Sequence, residues 1–223
     1  MTRMKTIFAI LAVGMLSACA TTRSEISVPP QESKQPETGV AVVVEPLDAR
    51  RFEAAPKEPS TPSLKEPSDL SNTHITSRAL ARKRGGFGHA FGDVLLAPPQ
   101  TAASLVGDAV KAGLRDSGYR VLEPSDPGYA AAPRIAVRIS EFWTWVTPGF
   151  ASIKLDHVAN ITLDSNLPSL RTAAPIVVRE TKGYGAIFES DWGPFIASSL
   201  VKLREQVRST LAPKTAEAAP AVR

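Results

Sequence analysis

Residues 134–165 read RIAVRISEFWTWVTPGFASIKLDHVANITLDS, and their spacing decides the fold of this chain. Apolar side chains recur at every second position on both sides of a Thr-Pro-Gly turn signal at 147–149. A period of two is typical of strands that bury one face, so the stretch predicts two antiparallel strands. Their inward side chains are expected to be Ile135, Val137, Ile139, Trp143 and Trp145 before the turn and Ile153, Leu155, Ala159, Ile161 and Leu163 after it.

Further elements flank this hairpin in both directions. Residues 40–44 (VAVVV), 119–122 and 175–188 each predict a strand. Residues 100–117 carry one apolar helical face, which follows two prolines and ends just before a glycine. Residues 190–211 repeat apolar side chains three or four positions apart, which predicts a second amphipathic helix.

The order of these elements predicts an α+β fold. We expect a two-layer sandwich: a mixed sheet of about four to five strands with two amphipathic helices on one face, in the order β-α-β-β-β-α. The domain spans residues 39–212 and contains a long irregular insertion at 47–97, where prolines are frequent and aromatic residues are rare. Residues 213–223 are rich in Ala and Pro and are expected to form a disordered tail.

The N-terminus has the features of an export signal. Arg3 and Lys5 precede an apolar run at 7–16, which is about half the length that a bilayer-spanning helix needs. Leu-Ser-Ala-Cys follows at 16–19 and matches the lipobox of bacterial lipoproteins. Residues 1–18 are thus predicted to be a lipoprotein signal peptide, and Cys19, the sole cysteine, the lipidated first residue of the mature chain.

Lipidation would place the mature protein in the cell envelope. Residues 19–38 contain several prolines and no apolar period, so we expect a flexible linker there. Position 20 is Ala rather than Asp, and the rule that accompanies the lipoprotein resemblance then favours the outer membrane, facing the periplasm. Removal of Arg3 and Lys5 with the signal lowers the formal charge from +4 to +2, too little to predict nucleic-acid binding.

The domain also resembles the YajG-type family of uncharacterised bacterial lipoproteins over about residues 39–212. The resemblance depends on the lipobox, on the 40–44 strand followed by Asp48-Ala49-Arg50, on the helix end LRDSGYRV at 114–121 and on the strand at 135–145. It implies an envelope role without catalysis, and it supplies no catalytic residues.

The sequence contains no recognisable catalytic or metal-binding motif. His74, His89 and His157 are far apart, and no HExxH, Gly-x-Ser-x-Gly or second cysteine accompanies them. His157 alternates with the inward residues of its strand, so we expect a locally hydrogen-bonded histidine at the edge of the core. We therefore expect a protein that is not an enzyme and holds neither metal nor cofactor.

A basic and glycine-rich segment at 82–92 is a first candidate binding surface. Its glycines lack the spacing of a dinucleotide-binding motif or a P-loop. One interpretation is a flexible loop whose rings tuck against the domain. The other is contact with anionic lipid headgroups, with cations on phosphates and rings at the acyl boundary. The side chains concerned are Arg82, Lys83, Arg84, Phe87 and Phe91.

The densest aromatic cluster, at 142–145, is a second candidate. Trp143 and Trp145 share one face of a strand by their spacing. They are expected either to pack in the core under the two helices or to form a partner-binding rim beside Phe150, because tryptophan is enriched at interfaces.

Two functions fit these patterns. The first is a membrane-anchored, non-catalytic adaptor that binds another periplasmic or outer-membrane protein. The second is a lipid- or glycan-binding accessory subunit of an envelope transport system, which would need an apolar pocket between the helices and the sheet. An exposed edge of the sheet would also permit a homodimer.

Overall fold

The computed structural model describes residues 23–33, 39–84, 89–150, 152–167 and 175–211. Within these residues the fold is α+β, with one mixed sheet of eight strands and three α-helices. The strands are β1 (Ser24–Ile26), β2 (Ala41–Asp48), β3 (Ala79–Arg84), β4 (Ala90–Leu96), β5 (Arg120–Val121), β6 (Arg134–Pro148), β7 (Ile153–Ser165) and β8 (Ile176–Tyr184). The helices are α1 (Thr73–Thr76), α2 (Ala102–Asp116) and α3 (Glu189–Leu211), and a 3-10 turn covers Pro67–Ser71. The predictions for the signal peptide, Cys19, Phe87 and the tail at 213–223 lie outside the described residues.

Strand β6 is the central strand of the sheet. Along one edge it pairs antiparallel with β7, which pairs in turn with β8. Along the other edge its first half pairs in parallel with β2, and its second half meets β3 where Ala81 lies opposite Thr144. Strand β2 continues to β5, whereas β3 continues to β4 and β1. The sheet therefore forks along this edge of β6.

The sheet has eight strands rather than the four to five expected. Strand β1 lies in the expected flexible linker, and β3 and β4 lie in the expected irregular insertion. The sequences ALARKR of β3 and AFGDVLL of β4 lack the regular alternation by which a strand is recognised. Their pairing partners are distant in sequence or separated from them by glycines, so the stabilising contacts leave no local pattern.

Helices α2 and α3 cover one face of the sheet. Helix α2 begins with a capping box, in which the side chains of Thr101 and Ser104 each accept from the other residue's backbone N–H. Apolar side chains of both helices pack on the sheet in one large core. The two helices pack closely at Gly113, where a Cβ atom would lie 2.7 Å from the carbonyl oxygen of Arg204. Arg204 pairs with Asp116 at 2.5 Å on the same contact.

The inward and outward faces of β6 exchange at a bulge. Its register with β7 shifts between Ile139 and Glu141, and one extra residue reverses the alternation that follows. Phe142 consequently faces the helices, whereas Trp143 and Trp145 turn to the opposite face. A second core forms there from Leu64, Ala79, Leu95, Trp143 and Val158, with Phe52, Leu70, Ile75 and Trp145 at its margin. The tryptophans thus pack under residues 52–75. The uninterrupted alternation predicts that they pack under the two helices, and that prediction is wrong.

Candidate functional site

The structure divides the basic residues of the first candidate surface between two faces. Arg82, Lys83 and Arg84 end strand β3, and each side chain is partly buried. Because side chains alternate along a strand, Lys83 points to one face of the sheet and the two arginines to the other. The segment therefore does not present three adjacent cations to one ligand.

Lys83 belongs to a polar cluster that joins β1, β3 and α3. Its ammonium group donates to the hydroxyl of Ser24 and lies 3.3 Å from the carboxylate of Glu189. The Ser24 hydroxyl in turn donates to Glu189. That hydrogen bond, together with Lys83, lowers the pKa of Glu189. Lys83 thus has structural partners and holds the N-terminal strand to the last helix.

Arg82 and Arg84 lie beside the segment that covers the second core. Arg84 donates to the hydroxyl of Ser63 at 3.2 Å. Burial and the neighbouring charge of Arg82 lower the pKa of Arg84. The Nε atom of Arg82 is buried, and among the described residues it has no hydrogen-bond partner. Within that part of the chain, neither arginine pairs with a carboxylate, unlike Lys83.

A buried carboxylate, Asp93, lies opposite Arg82 in the β3–β4 pair. Asp93 is 1% exposed and accepts from the backbone N–H of Lys65 at 2.8 Å and from the guanidinium group of Arg23 at 3.2 Å. Arg23 also pairs with Asp69 at 2.5 Å. Arg23, which immediately precedes β1, is therefore fixed both to β4 and to the segment 52–75 that covers the second core. This group was not predicted from the sequence, because the flexible linker expected at 19–38 would leave Arg23 without partners.

The second candidate surface does not form as one patch. Trp143 is 1% exposed, meets Phe52 edge-on with ring centres 5.8 Å apart, and donates from Nε1 to the carbonyl oxygen of Pro59 at 3.2 Å. Trp145 is half-buried at the margin of the same core. Phe150, in the turn after β6, is fully exposed. The structure brings the two tryptophans together in the second core and leaves Phe150 on the surface.

Arg50 occupies the fork between β2 and β3. Its side chain is completely buried, and it forms a bidentate ion pair with Asp48 at 2.8 and 2.7 Å. Its other N–H groups donate to the backbone carbonyl oxygens of Thr76, Ser77, Ala79 and Phe142. The planar, multi-donor guanidinium group suits this task, which a lysine does not. The Asp-Ala-Arg sequence directly after a buried strand was the available signal for this group.

A surface cleft of about 310 Å³ opens beside Arg50. It is lined by Asp48, Arg50, Phe52, Leu70, Thr73, Thr76 and Ser77. Every nitrogen of the Arg50 guanidinium group already donates to an acceptor of the protein. The cleft therefore contains no unsatisfied Arg50 donor for an anionic ligand, and we assign Arg50 a structural role.

His157 lies in the main core beneath α3. It is 1% exposed, its ring meets those of Phe142 and Phe195 edge-on, and its Nδ1 atom shares a 2.7 Å hydrogen bond with the hydroxyl of Thr144. Burial, and secondarily the positive charge of Arg50, lower the pKa of His157 from 6.5 to about 3. The imidazole is therefore neutral at physiological pH and acts as a polar core residue.

The three histidines lie in different parts of the fold, with His74 on α1, His89 just before β4 and His157 on β7. The described residues contain no group of three or more His, Cys, Asp or Glu side chains placed to bind a metal ion. No helix in the same ranges combines the length and the apolar character that crossing a membrane requires.

The comparisons with known proteins find similarity in structure alone. No family model and no curated protein matches the sequence. Among solved structures, the fold is similar to a Xanthomonas campestris protein of the DUF330 family, with a TM-score of 0.43 and 16% identity over 86% of this chain and 93% of that chain. A minor lipoprotein from Acinetobacter baumannii gives a TM-score of 0.34 and 11% identity over 48% of this chain and 81% of that chain. These values assign the chain to no family.

Proposed function

We propose that this chain is a lipid-anchored lipoprotein of the bacterial cell envelope. The observation that carries the proposal is Leu-Ser-Ala-Cys at 16–19, directly after a short apolar run with Arg3 and Lys5 before it. Such a signal ends before Cys19, whose thiol then forms the thioether to diacylglycerol. Two or three acyl chains anchor a protein stably, whereas a single chain gives marginal binding. Ala20 favours the outer membrane facing the periplasm, and the resemblance to the YajG-type lipoproteins agrees with this location.

Within the envelope, we propose that the domain is a non-catalytic binding module. Apolar side chains of the helices and of the sheet pack against one another in the main core. A carrier of lipid or glycan would need an enclosed apolar pocket at that position. An adaptor that binds through its surface therefore fits the packed core better than a carrier does.

Strand β8 is the surface that we propose for the partner. It pairs with β7 along one edge, and among the described residues no strand covers its other edge. An open edge presents backbone N–H and C=O groups that can pair with a strand of another protein. Val177, in the first half of β8, is 38% exposed and adds an apolar contact. A second copy of the chain can use the same edge, as a homodimer would require.

Cell fractionation tests the anchor. Wild-type chain should sediment with the membranes and incorporate a palmitate analogue, whereas Cys19→Ser should do neither. Ala20→Ser is the matched control, because it changes the neighbouring position and retains the thiol. Equal membrane association and labelling of Cys19→Ser and wild type would refute the lipid anchor.

Photo-crosslinking in cells tests the binding surface. A photoreactive amino acid at position 177 should yield a dominant protein adduct, whose mass identifies the partner or a second copy of the chain. The same amino acid at position 47 is the control, because Leu47 is 56% exposed on β2, which lies on the opposite side of β6 from β7 and β8. Identical adducts at both positions, or lipid or glycan adducts alone, would argue against an adaptor that uses β8.

A further inference from the structure

One end of the sheet lies where the N-terminal segment enters the domain. Strand β1 runs parallel to β4, with Ser24 opposite Val94, so the chain traced backwards from Ser24 heads toward the start of β4. Strand β3 ends there, next to the start of β4. Because β3 runs parallel to β6, the β6–β7 turn and the last residue of β8 lie at this end too. We name it the anchor end and define it by the strand termini Arg84, Ala90, Pro148, Ile153 and Tyr184.

The reach of the chain holds the anchor end near any lipid on Cys19. Arg23 is fixed to the domain by its ion pairs with Asp69 and Asp93. Cys19 precedes Arg23 by four residues, and four extended residues span at most about 14 Å. The connection is therefore far shorter than the linker expected at 19–38, because Ser24–Ile26 forms β1.

The exposed aromatic side chains also collect at the anchor end. Among the described residues, the large aromatic side chains that are exposed are Phe91, Phe150 and Phe188, at 41%, 110% and 66%. Phe91 is the second residue of β4, and Phe150 lies in the β6–β7 turn. Phe188 directly precedes Glu189, whose carboxylate accepts from Ser24 of β1. Water solvates such rings poorly, and the boundary between headgroups and acyl chains is a favourable place for them.

The charges at the anchor end are compatible with a lipid surface. Lys154 is exposed near the start of β7, and Lys182 is exposed near the end of β8. The acidic groups nearby are engaged within the protein. Glu189 meets Ser24 and Lys83, Asp191 accepts from the backbone of Phe188, and Asp156 accepts from two threonine hydroxyls. Exposed lysines next to apolar rings are the combination found in proteins that lie on membranes.

We infer that the anchor end lies directly on the bilayer that holds the lipid of Cys19, with Phe91, Phe150 and Phe188 at the acyl boundary. The inference rests on the proposed lipid anchor and adds an orientation to it. Strand β8 then runs toward the membrane, so its first half, with the open edge near Val177, lies farthest from the bilayer, where a protein partner has access.

Site-directed spin labelling tests this orientation on the full lipidated chain. The protein is reconstituted in vesicles of phosphatidylethanolamine and phosphatidylglycerol. Because the thiol of Cys19 is consumed by the lipid, Phe150→Cys and Phe188→Cys each provide one free thiol for a nitroxide. Val40→Cys is the matched control, since Val40 is 57% exposed and precedes β2 at the opposite end of the sheet.

Collision with oxygen and with a water-soluble nickel complex reports the depth of each label. We expect labels at 150 and 188 to shift toward preferential collision with oxygen, as in a bilayer, and the label at 40 to remain water-like. Lipidated protein with water-like labels at all three positions would overturn the orientation and leave the anchor intact. A second nitroxide on each chain would reveal a free Cys19 thiol and overturn the anchor, and the orientation with it.

Discussion

The guanidinium group of Arg50 donates a 3.1 Å hydrogen bond to the carbonyl oxygen of Phe142 and thereby joins the second residue after β2 to the middle of β6. The sheet forks at this point, because β2 has ended its pairing with β6 and β3 has yet to begin. A buried carbonyl without a donor costs free energy, and Arg50 supplies donors to four of them.

Replacing Arg50 should therefore weaken the whole fold. Arg50→Ala removes the guanidinium partner of Asp48 and one donor from each of four carbonyl oxygens, and we expect the free energy of unfolding to fall by about 3–5 kcal/mol. Arg51→Ala is the matched control, because Arg51 is exposed and should change stability by about 0.5 kcal/mol at most. Urea unfolding followed by tryptophan fluorescence measures both. Equal stability of the two variants would refute the role of Arg50.

The stability of the domain should depend on pH through His157. Its pKa is about 3 in the fold and 6.5 as the ordinary value, so between these pH values the unfolded chain binds a proton that the folded chain excludes. The contribution of neutral His157 to the free energy of unfolding is complete above pH 6.5. It falls as the pH drops toward 3, by about 1.4 kcal/mol per pH unit.

Unfolding at pH 7.5 and pH 5 measures this effect. His157→Gln should lower stability at pH 7.5 and flatten the loss between the two pH values, because Gln takes up no proton. His74→Gln is the control and should retain the wild-type slope, since His74 is exposed on α1. A slope in His157→Gln as steep as that of wild type would show that other groups produce the pH dependence.

Two aromatic residues of the same hairpin should differ sharply in their contribution to stability. Trp143→Ala removes the largest side chain of the second core, and we expect a loss of about 3–5 kcal/mol. Phe150→Ala removes a fully exposed ring and should change stability by about 0.5 kcal/mol at most. Urea unfolding compares them. A marginal effect of Trp143→Ala would mean that residues 52–75 do not cover the second face of the sheet.

The contact between α2 and α3 should tolerate no side chain at Gly113. Alanine favours helix by about 1 kcal/mol over glycine. A Cβ atom at this position would nevertheless meet the carbonyl oxygen of Arg204 and the side chain of Val207. We expect Gly113→Ala to destabilise the domain by about 1–3 kcal/mol. Gly185→Ala, with open space around it, should have little effect, and thermal unfolding measures both variants. Stabilisation by Gly113→Ala would contradict the close approach of the helices.

Elements with a strong local period were predictable from the sequence. The hairpin of β6 and β7, the apolar stripe of α3 and the helix α2 between a Pro pair and Gly118 all match their expected positions closely. Their patterns arise because one face of each element is buried over many residues. The mixed α+β class followed from their order.

The remaining features depend on contacts between distant residues. The bulge after Ile139 leaves no glycine or proline signal, so the alternation alone puts Trp143 on the wrong face. Strand β1 is three residues long and is stabilised by pairing with β4. The sequence does not show the partners of Arg23 and Lys83, because only the fold brings Asp93 and Glu189 next to them.

The N-terminal peptide of the mature protein, extracted from membranes and analysed by mass spectrometry, tests the central claim most directly. We predict a chain that begins at Cys19 and carries a diacylglycerol thioether on that residue. A chain that begins at another residue, or that retains a free Cys19 thiol, would contradict the account of an anchored envelope lipoprotein.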